Sequence, residues 1–195
     1  MKTAQLIVAL LFPVLAAPVF AQDAAATVQR DINQQQRIEN GLKSGQLTTR
    51  EAARLERDEA KINRTEAKAL KDGTLSTAEK RDINRMQNEA SRDIRSEKHD
   101  AQTGNPDSAS SKRMQADVQR NINQQQRIEN GINDGSLTNR EVARLERGQA
   151  KANSREFHAG RDGHVGAAEQ KRVQRTENHQ SRRIHRQKHD AQHRS

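Results

Sequence analysis

The chain has no cysteine, no tryptophan and no tyrosine. Without cysteine there can be no disulfide, no thiolate metal site and no lipid-modified N-terminal cysteine. Large apolar residues are also scarce. After residue 21 there are 24 Leu, Ile, Val, Met and Phe side chains, and Phe157 is the only aromatic residue among them. Base stacking is therefore closed as a way to hold nucleic acid. Burying each large side chain yields roughly 1.5–3 kcal/mol, whereas ordering each residue's backbone costs roughly 1–2 kcal/mol. That balance predicts thin, elongated helical packing with a marginal core.

Long hydrophobic runs are confined to the N-terminus. Lys2 precedes the apolar stretch Leu6–Leu15, and Val19-Phe20-Ala21 offers small residues at −3 and −1. Residues 1–21 thus read as a secretory signal peptide cleaved after Ala21, addressing the protein to a periplasm or outside the cell. The stretch is too short for a membrane span, and no later segment is apolar enough to insert.

What the chain does have is repetition. Val28–Gln102 aligns with Val118–Gln192 at a constant offset of 90, without a gap, and 42 of the 75 positions are identical. One structural unit has been built twice. Within each copy, Gly and capping residues mark off three helical stretches. Thr48 with Glu51, Ser76 with Glu79, and Thr138 with Glu141 have the capping-box spacing, in which the hydroxyl accepts from an early helix N–H and the Glu reaches back to the cap. The fourth break, crowded by Gly160, Gly163 and Gly166 ahead of Glu169, has lost its hydroxyl and reads as the loosest hinge.

Between the breaks, apolar residues keep a helical period, as in Ile83, Met86, Ala90 and Ile94. No segment alternates as a strand does. The fold expected is all-α, a tandem duplication of a three-helix unit. Residues 22–102 form the first unit, 103–115 a flexible linker around Pro106, and 116–195 the second unit with a basic, His-rich last helix. A continuous six-helix array is the alternative, and a homo-oligomer is compatible with either.

No enzymatic motif stands out. The chain shows no nucleophile elbow, no phosphate-cradling Gly-rich loop and no HExxH. Its many carboxylates are expected on solvated helix faces, paired with Lys and Arg at i, i+4. The Gly-containing breaks match the second half of an EF-hand loop, but Lys68 and Leu70 fall where calcium needs oxygen ligands, so calcium is not expected there.

Leu47-Thr48-Thr49-Arg50-Glu51 and Leu137-Thr138-Asn139-Arg140-Glu141 resemble the LTxxQ signature of the Spy/CpxP group of small periplasmic stress proteins, with Glu in place of the final Gln. The resemblance implies binding of unfolded polypeptide clients or a part in envelope-stress signalling.

Histidine and positive charge concentrate in the second copy. His185, His189 and His193 stand at successive i, i+4 spacings, which suits pairwise chelation of Zn²⁺, Cu²⁺ or Ni²⁺. The first copy carries 16 Lys/Arg against 14 Asp/Glu, the second 15 against 9. Lys171, Arg172, Arg175, Arg182, Arg183, Arg186 and Lys188 make up much of that excess and point to an anionic partner. The expected function is non-enzymatic: partners, clients or an anionic envelope surface bound through polar and basic helical faces. Metal binding through the histidines is the alternative.

Overall fold

The computed structural model describes residues 19–192, with side chains from residue 22 onward, and among these capping and helical periodicity produce six α-helices. They are α1 Val19–Ser44, α2 Thr49–Ala69, α3 Thr77–Glu97, α4 Ala109–Asn133, α5 Asn139–Gly160 and α6 Ala167–Lys188. Among the described residues there is no strand, so the protein is all-α. Most of the segment read as a signal peptide lies outside the described residues. No described helix is long and apolar enough to cross a membrane.

The helix starts form as the sequence predicts. Full capping boxes close α2 at Thr48 and Glu51, α3 at Ser76 and Glu79, and α5 at Thr138 and Glu141. At α6 only half a box survives, the Gly166 N–H donating to Glu169 Oε2 at 2.8 Å. Helix α4 begins at Ala109 under a Ser108 cap, inside the stretch expected to be linker.

The two copies do not hang apart. Helix α2 lies along α5, and α1 along α4. Gly160, at the end of α5, sits against Ala53 and Thr49 at the start of α2, so the α2–α5 pair runs antiparallel. Asn153 Nδ2 donates to Asn63 Oδ1 at 3.2 Å, and those residues occupy equivalent positions in the two copies. Equivalent residues can touch in this way only beside a two-fold axis. Reciprocal contacts follow from it. Arg140 packs on Gly73 (φ +98°) and donates to the Asp72 carbonyl, while Arg50 packs on Gly163 (φ +92°) and donates to the Asp162 carbonyl. Both glycines take a left-handed conformation, and each leaves its arginine an open seat. The chain is a pseudo-symmetric pair fused head to tail, with the isologous interface typical of a two-fold dimer.

This interface changes the expected core. Of the 24 large apolar side chains after residue 21, 22 are buried, leaving only Met86 and Phe157 partly exposed. One continuous cluster of buried apolar residues runs through both copies instead of a thin core in each. The hinge read at Gly160 is instead a tight contact. A Cβ there would lie 2.5 Å from Met114 Cε and 2.9 Å from Ala53 Cβ.

The carboxylates depart furthest from expectation. Asp31, Glu56, Glu59, Glu66, Asp117, Glu146, Glu156 and Glu177 are all buried, at 0–1 % exposure, instead of lying on solvated helix faces, and only Glu177 among them makes an ion pair with a described Lys or Arg. Helices α2 and α5 are central and covered on several sides, so positions that would face water on an outer helix are enclosed here.

Candidate functional site

Helix α6 lies along α5, and the gap between them is set by a residue without a side chain. Gly148 on α5 lets Gln180 of α6 come in so closely that any Cβ would collide with its amide. Gln180 Nε2 donates to the Leu145 carbonyl at 2.8 Å, fixing the two helices together. Alongside this contact runs an open groove of about 410 Å³, walled by Lys151 and Arg155 from α5 and by Arg172, Arg175, His179 and Arg183 from α6. No carboxylate lines it.

The first copy has the corresponding groove between α2 and α3, about 310 Å³, lined by Arg57, Lys61, Asp58, Glu89 and Asp93 among others. There, Asp58 takes ion pairs from Lys61 at 2.7 Å and Arg57 at 3.4 Å. Subtracting the repeat offset, Gly148 stands where Asp58 does, His179 where Glu89 does, and Arg183 where Asp93 does. Three acids have been replaced at one place on one helix pair. The result is five Lys or Arg side chains with no internal counter-charge.

Arg183 also feels cations beyond the groove wall. Partial burial pushes its pKa below the usual guanidinium value, and the positive charges of Arg186, Arg147 and Arg144 push it further the same way. Guanidinium groups offer planar, forked donors suited to phosphate and carboxylate oxygens. A low-dielectric groove wall with one sign of charge concentrates anions.

Of the cations singled out in the sequence, Arg172, Arg175 and Arg183 meet in this groove. Arg182 and Arg186 line a neighbouring hollow of about 350 Å³ with His179 and His185. Lys171 is exposed on α6 outside the groove, and Lys188 is engaged by Asp134 at 3.2 Å. Lys151, Arg155 and His179 were not singled out, although comparing the copies position by position exposes the charge reversal around them.

The histidine face is interrupted. Helix α6 ends at Lys188, and the His185 and His189 rings stack with centroids 4.3 Å apart. His189 Nδ1 lies 2.7 Å from the His185 carbonyl. His193 lies outside the described residues. The capping residues Thr48, Glu51, Ser76, Glu79, Thr138 and Glu141 serve as helix starts.

A second kind of site lies in the interior, as two polar nests related by the pseudo-two-fold. In one, Asn63 Nδ2 bridges Asp31 Oδ2 (3.3 Å) and Glu146 Oε2 (3.1 Å), while Gln87 donates to Asp31 and Glu66. In the other, Asn121 stands where Asp31 does and donates to both oxygens of Glu156, at 2.9 and 2.8 Å. Of its further carboxylates, Glu56 and Glu177, the latter pairs with Arg120 at 3.1 Å. Burial lifts the Asp31 and Glu56 carboxyls to about 7, Glu146 to about 8, and Glu66 and Glu156 well above the ordinary range. Glu177 is raised to about 7 by burial against the opposing pull of Arg120.

No protein-family model matches the chain, and neither do curated proteins or solved structures.

Proposed function

We propose that the protein is a non-enzymatic binding protein that holds a phosphate-bearing polyanion in the groove between α5 and α6. One observation carries the reading: the duplicated groove has exchanged Asp58, Glu89 and Asp93 for Gly148, His179 and Arg183 and so lost every acid along its wall. Gly148 is explained by the packing of Gln180, which stands where the first copy has Ala90, but that contact does not require the exchanges at His179 and Arg183. Seven of the groove and hollow cations and histidines project from one helix, so an extended anion can engage several at once. Because 22 of the 24 large apolar side chains are buried, the surface favours charged partners over exposed apolar segments of unfolded clients. The helix-start strings that resemble the signature of periplasmic stress proteins fit an exported protein that meets such anions on an envelope surface.

The test is calorimetric titration of the full chain with short-chain polyphosphate at low and at moderate salt. The informative variant is His179→Glu/Arg183→Asp, which restores residues that the first copy carries at equivalent positions of the same scaffold. Wild type should bind and weaken steeply with salt as counterions compete. The variant should lose roughly tenfold or more in affinity, about 1.4 kcal/mol. Equal affinity in both proteins would remove the groove as the binding site.

A further inference from the structure

Asp31 on α1, Glu66 on α2 and Glu146 on α5 each place a carboxylate oxygen within 4.8 Å of the other two. All three residues are buried at 0–1 % exposure. None makes an ion pair with any described residue. Oxygens spread around one cation at bond lengths of roughly 2.1–2.6 Å lie no more than about 4–5 Å apart, and this cluster has that span.

The surrounding side chains supply a second, separate indication. Gln87, 0 % exposed, and Gln125, 2 % exposed, point their amides into the cluster. Gln87 Nε2 lies 2.8 Å from Asp31 and 3.3 Å from Glu66, and Gln125 Nε2 lies 3.2 Å from Glu146. The carbonyl oxygen of each amide has no hydrogen-bond partner, and neither do Glu66 Oε2 and Glu146 Oε1. A half-turn of either amide would deliver a neutral oxygen ligand. Buried oxygens left without donors are costly, and one cation would satisfy several of them together.

The other nest provides an internal comparison. There Asn121 replaces the Asp31 carboxylate, and its N–H groups occupy both oxygens of Glu156. Arg120 engages Glu177. That nest also holds three carboxylates, Glu56, Glu156 and Glu177, but an amide fills both oxygens of one and a guanidinium pairs with another, while no described Lys or Arg pairs with the three of the first nest.

We infer that Asp31, Glu66 and Glu146, with Gln87 and Gln125, form an oxygen-only site for one hard divalent cation, Ca²⁺ or Mn²⁺, across the interface of the two copies. The absence of nitrogen and sulfur donors disfavours Zn²⁺, Cu²⁺ and Ni²⁺, and the dry, crowded setting disfavours Mg²⁺, which dehydrates reluctantly. Two positive charges against three carboxylates leave room for one retained proton. The site is distinct from the α5–α6 groove, from the C-terminal histidines and from the Gly-containing breaks.

Full-length protein is unfolded in chelator and refolded with and without CaCl₂ or MnCl₂, so that a buried site can fill. Bound Mn²⁺ is counted by electron paramagnetic resonance, and the thermal midpoint is recorded with each ion. One Mn²⁺ per chain and a midpoint raised by roughly 5 °C at millimolar ion are expected. Asp31→Asn, the residue the second copy carries at that position, should abolish both effects. Glu146→Gln serves as an independent removal of a ligand should Asp31→Asn not fold. No bound ion in wild type would overturn the inference, and so would retention of the ion in the variants. Loss of the ion in Glu97→Gln with retention in Asp31→Asn would place it at the surface acids instead.

Discussion

Glu56 offers a measurable consequence of burying acid in this fold. It lies on α2 at 0 % exposure, with Gln35 Nε2 3.0 Å from one oxygen and the other oxygen unpartnered. Burial raises its pKa from 4.5 to about 7, with contacts from Gln35 and Glu156 pulling the other way. An acid whose pKa rises on folding binds its proton more tightly in the native state than in the unfolded chain. Stability is therefore greatest below pH 4.5, declines as pH climbs to about 7, and then levels off at the lower value,. At about 1.4 kcal/mol per pH decade, the loss from this residue is roughly 3 kcal/mol. Two or three such residues would take up much of the roughly 5–15 kcal/mol that holds a domain together. Glu56→Gln has no charge to bury, so it should match wild type in mild acid and exceed it by roughly 3 kcal/mol above neutrality, a shift of about 1–2 M in urea midpoint. The assay is urea unfolding followed by far-UV circular dichroism in chelator, at steps between about pH 5 and pH 8. A wild-type midpoint that rises with pH, or an identical slope in Glu56→Gln, would refute the reasoning.

Other consequences are direct. Gly160→Ala should lose roughly 1–3 kcal/mol to overpacking against Met114 and Ala53, read as a lower urea midpoint,. Asn63→Ala removes the contact across the pseudo-two-fold along with donors to Asp31 and Glu146, and should cost roughly 1–3 kcal/mol,. Thr138→Ala opens the cap of α5 and should cost about 1 kcal/mol in the same measurement,. Arg175→Ala should weaken polyphosphate binding and flatten its salt dependence while leaving the urea midpoint within about 0.5 kcal/mol of wild type, since the side chain is exposed,.

The local structure was legible in the sequence because its causes are local. Thr48, Ser76 and Thr138 each sit three residues before a Glu, and a capping box needs nothing else. The cations of α6 were legible for the same reason, as charge follows from residue type. The two-fold contact between Asn63 and Asn153 was hidden because a repeat offset does not say whether copies stack, separate or pair. Once they pair, α2 and α5 become interior helices. Glu56, Glu59, Glu66, Glu146 and Glu156 then lose the water that their neighbours' Lys and Arg periodicity suggests. A clue lay in the alanines beside them: Ala52, Ala53, Ala60 and Ala67 make α2 narrow on a second face, which a helix with one solvated side does not need. The groove was half visible, since the α6 arginines were evident while Lys151 and Arg155 needed α5 to be placed beside them.

Hydrogen exchange of the full chain with and without polyphosphate tests the binding account most directly, because the two copies supply matched grooves in one molecule. Protection should appear in α5 around Lys151–Arg155 and in α6 from Arg172 to Arg183, and not in the equivalent stretches of α2 and α3. Equal protection in both copies would show that polyanion binding follows overall charge, and the reversal of the second groove would lose its meaning.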